Sequence, residues 1–143
     1  MKPTALFTFF GLGVAVESIN NPWSCQTNVV TRFEKSAIQA GAEKAAEYML
    51  TGTTTPPNQA GNIFPHYFSN FEALTFQAVC ENRVLYEHPI HPRVPHEYTG
   101  GTPGQYRVVL AFTNNGSDTI FCGMMAHFRV SDTHFRICTA LPR

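Results

Sequence analysis

Lysine is nearly missing from this chain of 143 residues, which has only Lys2, Lys35 and Lys44. Ten Lys and Arg side chains are balanced by ten Asp and Glu, so the formal net charge is zero. Nonspecific binding along a nucleic-acid backbone rests on a basic surface that releases counterions, and the composition offers no such surface. Charged residues are only 14% of the total. Long apolar runs are also lacking. The longest, Ala5 to Val16, spans 12 residues and falls short of the roughly 20 needed to cross a bilayer. No other stretch anchors the chain in a membrane. Neither a CxxC nor a CxxH pair occurs, which argues against a structural zinc site, since zinc prefers clustered ligands. There are no internal repeats and no domain-scale linkers, and the length suits one domain with one core.

What is present begins at the N-terminus. Met1-Lys2-Pro3, the apolar run, and then Glu17 and Ser18 match a secretory signal peptide. Cleavage between Ala15 and Asn20 would make residues 1–19 the leader and 20–143 the mature domain; the alternative is a buried N-terminal strand or helix. Cys25, Cys80, Cys122 and Cys138 are an even number and fit disulfides in an oxidising, extracellular compartment. Four cysteines allow three connectivities, and spacing does not choose among them. A bridge from Cys25 to Cys138 would tie together the ends of the mature chain, contributing roughly 4 to 5 kcal/mol in the chain-entropy model.

Helical periodicity predicts one helix over Arg32 to Leu50, with Phe33, Ala37, Gly41, Ala45 and Tyr48 as its apolar stripe, widened by Ile38 and Met49. Gly52 stops it. Thr51 to Asn62, rich in Thr, Pro, Gly and Asn, is a loop. Short aromatic and β-branched runs then predict strands at Tyr67–Phe68, Leu74–Val79, Val84–Ile90, Tyr106–Phe112, Ile120–Ala126 and Phe135–Cys138. Asn115-Gly116 marks a hairpin between two of them. The expected class is α+β: one α-helix packed on a twisted antiparallel sheet, whose other face is free for function.

On that sheet His66 opens a strand, Glu87 sits mid-strand, Arg107 lies near a strand start and His127 just past a strand end. Same-face residues on neighbouring antiparallel strands come within a few ångströms of each other. Two imidazoles, a carboxylate and a guanidinium are what phosphodiester transfer without a metal or other cofactor requires. Each residue alone is ordinary; four such side chains on one face could share one site. His88, His91 and His96, in a stretch with Pro89, Pro92 and Pro95, suggest metal binding only weakly, since no carboxylate or cysteine partner completes a set. Arg129, Arg136 and Arg143 form either a local basic rim or a solvated face. Asn115-Gly116-Ser117 is an N-glycosylation sequon in an expected turn.

Four phrases hold the four residues: Phe64-Pro65-His66, Tyr86-Glu87-His88-Pro89-Ile90, Gly100-Gly101-Thr102-Pro103-Gly104 leading to Arg107-Val108-Val109, and Cys122-Gly123-Met124-Met125-Ala126-His127 with Phe135 to Thr139 beyond it. In this order and spacing the chain resembles the fungal guanyl- and purine-specific secreted ribonucleases of the T-one type, with their ribotoxin branch related to α-sarcin. Trp23-Ser24-Cys25 resembles the start of mature ribotoxins and of ribonuclease-like fungal effectors. The resemblance implies the microbial ribonuclease fold, the bridges Cys25–Cys138 and Cys80–Cys122, and a monomer.

For chemistry, the resemblance implies that Glu87 is the general base on the ribose 2′-hydroxyl and His127 the general acid on the leaving 5′-oxygen. Arg107 would stabilise charge on the nonbridging oxygens, and His66 would support that charge and stand in as a base. Phe68 to Glu72, with Ser69, Asn70 and Phe71 between, would bind the base: Phe68 and Phe71 by stacking, Glu72 by accepting from its N–H groups. Phe64 and Phe135 would flank the phosphate and leaving group. The substrate implied is single-stranded RNA, cut to a 2′,3′-cyclic phosphate, with DNA spared because it lacks the nucleophile. Alternatives are a ribotoxin cutting one ribosomal RNA loop, and a non-catalytic effector binding RNA or a host protein. Phe64 replaces a common tyrosine, Ser69 an asparagine, Tyr106 an internal aspartate, and Phe128-Arg129-Val130 a small-residue loop.

Overall fold

Two runs without a charged residue, Val108–Ala111 and Ile120–Ala126, decide the architecture. A strand apolar at every position must be covered on both faces, and these runs form the middle of the sheet in the computed structural model, which describes residues 16–143. The elements are β1 (Val16–Glu17), β2 (Trp23–Gln26), β3 (Val30–Phe33), α1 (Lys35–Thr51), β4 (His66–Phe68), β5 (Leu85–Pro89), β6 (Tyr106–Phe112), β7 (Thr119–His127), β8 (Phe135–Ile137) and β9 (Thr139–Ala140). The main sheet runs β1-β7-β6-β5-β4, with β8 also on β7, and a smaller sheet runs β3-β2-β9. All pairings are antiparallel except β1 with β7.

Alternation sends Val108, Leu110, Met124 and Ala126 into a core under α1 and the β2–β3 hairpin. It sends Val109, Ala111 and Met125 to the opposite face, where they pack with Phe68, Leu85 and the Cys80–Cys122 bridge. Cys25–Cys138, at a sequence separation of 113, fastens the small sheet to the first core. At Gly123 the backbone has φ +149°, and a Cβ there would meet Phe76 and Trp23 at 3.2 Å each. Only glycine fits between the two packed faces at the β6–β7 irregularity.

The one-helix, antiparallel α+β expectation holds, with differences in detail. The helix begins at Lys35 because Arg32 and Phe33 pair with Ser24 and Trp23 in the hairpin. The expected strand over Leu74–Val79 is not one. Gln77 alone docks on β7, through its N–H to the Cys122 carbonyl and its amide to the Phe121 carbonyl, and the chain then enters a 3-10 turn at Ala78–Cys80. Neither β2, β3 nor β9 follows from hydrophobic pattern, since Ser24, Gln26 and Arg32 interrupt it. Residues 1–15, most of the expected leader, lie outside the described residues. The last four of that leader are part of the fold: Val16 and Glu17 pair with Thr119 and Ile120, and Ile19 is buried in the first core.

His88 lies fully buried beneath Tyr48, Phe64 and Tyr98, with Nε2 donating to the Tyr98 carbonyl at 3.0 Å. Burial pushes its pKa down to about 4, against the carbonyl, which favours the charged form. The unfolded chain therefore takes up a proton near pH 6.5 that the folded chain refuses until about pH 4. Stability from this residue is whole above pH 6.5 and falls by roughly 3 kcal/mol in total on acidification to pH 4. Urea unfolding of the wild type and His88→Gln across that window should show the difference between them shrinking as pH falls; a constant difference would refute the account.

Candidate active site

His66 on β4 stands directly opposite Glu87 on β5, and Arg107 on β6 is two residues from Val109, the partner of Glu87. The alternation of strands thus puts His66, Glu87 and Arg107 on one face. His127 closes β7 on that same face, paired with Phe135 of β8.

Glu87, 7% exposed, is gripped from both sides. Its Oε1 accepts from Arg107 Nε at 3.1 Å, and Oε2 lies 3.2 Å from His66 Nε2. The Arg107 guanidinium and the His66 imidazole keep a buried carboxylate in place without consuming all its lone pairs. The hydrogen bond to Glu87 raises the His66 pKa against the opposing effect of burial. Phe64 stacks on the His66 ring at 4.5 Å and lies 5.4 Å from the Arg107 guanidinium. It supplies the flat apolar contact of a tyrosine without the hydroxyl.

The Gly100–Gly104 phrase explains itself through Arg107. Its chain reversal brings the Gly104 carbonyl to 2.9 Å from Arg107 Nη1, which also donates to the Tyr106 carbonyl at 3.0 Å. The guanidinium is thereby fixed by backbone as well as by Glu87. Burial lowers its pKa, opposed by Glu87.

His127 has Nδ1 at 2.9 Å from the His134 carbonyl, an arrangement that leaves Nε2 to exchange protons. Its ring stacks on Phe135 at 3.8 Å. Burial lowers its pKa and the charge of Arg107 adds to this, while the His134 carbonyl opposes. Replacing Phe135 with Ala uncovers the imidazole, so the His127 titration should move up toward the ordinary imidazole value. Histidine ring-proton NMR across pH 4 to 9 reads this directly, and an unmoved midpoint would show that the Phe135 ring does not set it.

Phe135 also links this centre to the expected base-binding segment: its N–H donates to Glu72 Oε2 at 2.9 Å, and its ring meets Phe68 edge-on at 5.8 Å. Glu72 keeps a second oxygen for a ligand. Phe71 is 89% exposed, whereas Phe68 is buried against Phe76 and Phe135. Asn70, at φ +54°, spends its amide on both backbone groups of Leu74, clamping the loop. Ser69 and Asn70 line a bay of about 440 Å³ with Phe76, Gln77 and Val84, and none of the four polar site residues borders it.

Sequence reasoning passed over two supports. Gln105 donates its amide to the carbonyls of His127 and Phe128 at 3.3 and 3.1 Å, fixing the end of β7. Tyr98, fully buried, donates its hydroxyl to the Gly101 carbonyl at 2.6 Å. The proximity of Gln105 to Arg107 in sequence is a signal for the first; nothing in the pattern marks the second. Tyr106, in place of the usual aspartate, joins its hydroxyl to Thr31 at 2.9 Å and ties the sheets together. His91 and His96 bond to each other's backbone and close their own loop.

Known proteins resemble this chain over most of its length. A family model described as ribonuclease matches residues 22–139. The chain is 32% identical over 106 residues to guanyl-specific ribonuclease Th1 of Trichoderma harzianum, covering 74% of this chain and 89% of that protein. It is 30% identical to guanyl-specific ribonuclease U1 of Ustilago sphaerogena, over 67% and 75% of the two chains. To guanyl-specific ribonuclease F1 of Fusarium fujikuroi it is 26% identical, over 94% and 92%. No solved structure matches significantly. With the fold, the four-residue cluster and these similarities together, the chain belongs to the fungal ribonuclease family that includes these guanyl-specific enzymes.

Proposed function

We propose that this protein is a secreted endoribonuclease that cleaves single-stranded RNA after guanosine, without a metal or cofactor. The observation that carries the reading is the grip of Arg107 and His66 on the Glu87 carboxylate, on the sheet face that also holds His127. Glu87 takes the proton of the ribose 2′-hydroxyl as its oxygen attacks phosphorus. His127, through Nε2, gives a proton to the departing 5′-oxygen. Arg107 meets the charge that grows on the nonbridging oxygens, where a fixed donor acts without reorganising. His66 adds positive charge beside it. The products are a 2′,3′-cyclic phosphate and a free 5′-hydroxyl; the cyclic ester is opened by water in a second step with the two proton carriers exchanged.

Guanine preference rests on Glu72, whose free oxygen would accept from the base N–H edge, with Phe71 available to cover the ring. A carboxylate acceptor covered by a bound base that offers it no donor is costly, which disfavours other bases. Secretion is supported by the apolar N-terminal run and the two disulfides. The decisive assay incubates purified protein with oligoribonucleotides carrying one guanosine, one adenosine or one pyrimidine target, and with intact ribosomes. Cleavage 3′ to guanosine with cyclic-phosphate ends is expected. A single ribosomal fragment, with the oligonucleotides spared, would favour the ribotoxin reading, and intact RNA throughout would overturn the catalytic one.

A further inference from the structure

The positive charge of this neutral chain is unevenly placed. From His127 to the C-terminus there are three arginines, Arg129, Arg136 and Arg143, and one acid, Asp132. Asp132 does not neutralise its neighbours: its Oδ2 accepts the backbone N–H of Arg129 at 3.0 Å and closes the turn after β7. Among the described residues the ion pairs are Arg32–Glu34, Lys44–Glu47 and those of Glu87, so Arg129 and Arg136 have no carboxylate partner. Both guanidiniums instead converge on one ring, that of Phe128, at 4.4 Å for Arg136 and 5.8 Å for Arg129.

Phe128 directly follows His127, and Gln105 holds the carbonyls of both. Arg136 pairs with Ala126, so it leaves β8 on the face away from His127, and its guanidinium meets the ring at the end of β7. Stacking on an aromatic face limits the freedom of a long side chain while leaving its N–H edge to bind an anion. Two such edges converge on the residue that follows His127, at the end of β7, and RNA continuing beyond the leaving nucleoside would turn over that end of the sheet to reach them.

We propose that Arg129 and Arg136, held on Phe128, bind the phosphodiester one nucleotide 3′ of the scissile bond. The proposal rests on the catalytic reading above, in which the leaving nucleoside departs at His127. It makes the enzyme prefer chains that run on past the cut to those that end there.

The test compares GpU, which has no phosphate beyond the leaving nucleoside, with GpUpU, which has one. The wild type should cleave GpUpU with the higher kcat/KM. Replacing Arg129 and Arg136 together with Gln should lower the GpUpU to GpU ratio by about three- to tenfold, the scale of two exposed ion pairs. The slope of log kcat/KM for GpUpU against log salt should become shallower by about 0.7, the value for one single-strand phosphate. Phe128→Leu keeps both charges and removes the platform, and should give a smaller fall in the ratio. If GpU and GpUpU are cut equally by the wild type, or if the ratio survives the double substitution, the subsite is refuted while the catalytic reading stands. Failure of the wild type to cut either substrate would bring down both.

Discussion

Glu87→Gln and His127→Gln should each lower the rate of RNA cleavage by about 10² to 10⁴, the usual worth of a positioned base or acid. The two losses can be told apart by the leaving group. A substrate with sulfur in place of the 5′-oxygen departs as a thiolate, whose conjugate acid has a pKa of about 8.5, so it needs no proton at the moment of cleavage. His127→Gln should therefore recover most of its activity on the thio-substrate, and Glu87→Gln should recover none. Equal behaviour of both variants on both substrates would sink the division of roles. Residual activity in Glu87→Gln has an evident source in His66, 3.2 Å from the lost carboxylate. Without Glu87 the hydrogen bond that raises the His66 pKa is gone. The residual rate should then rise with pH at a lower midpoint than the wild-type His66 titration, because burial and Arg107 still act on the ring, and adding His66→Gln should remove that rise.

How much of this was readable beforehand depended on the range of the interaction. His66, Glu87, Arg107 and His127 sit on or beside strands that local pattern announces, whereas their common face depends on the pairings of His66 with Glu87 and of Glu87 with Val109. Their short family phrases supplied the rest. The disulfide partners were beyond spacing alone and came from the resemblance. What was not legible is held by contacts far apart in sequence or by backbone. Leu74–Val79 reads as a strand from composition, yet Gln77 docks it at one point and Cys80–Cys122 fixes its end. The β2–β3 hairpin has too few apolar positions to announce itself and is stabilised by Phe33 against Tyr106 and by the Cys25–Cys138 bridge. The link from Glu72 to the Phe135 N–H, across 63 residues of sequence, is a backbone contact that no side-chain pattern encodes.

Arg107 should prove to hold the site together as well as to act in it. Arg107 is 5% exposed, and its guanidinium spans Glu87 Oε1 and the carbonyls of Gly104 and Tyr106. Arg107→Met removes the charge and leaves Glu87 buried with only His66 beside it. Breaking a buried pair from one side costs about 3 to 5 kcal/mol, because the remaining charge is uncompensated. Cleavage should fall by about 10² to 10³ through loss of the fixed cation at the phosphate. The two effects separate in a double-substitution cycle. Arg107→Met with Glu87→Met removes both charges and should regain much of the lost stability in urea unfolding, while activity stays absent. Arg107→Lys tests the other half: it keeps a positive charge, but an ammonium cannot reach a carboxylate and two carbonyls in one plane. It should unfold closer to the wild type than Arg107→Met does, yet remain well below wild-type rate on every RNA. Arg107→Met with wild-type stability would show that this pair does not stabilise the fold, and Arg107→Lys with full activity would show that charge alone, without the backbone-fixed fork, is what the phosphate needs.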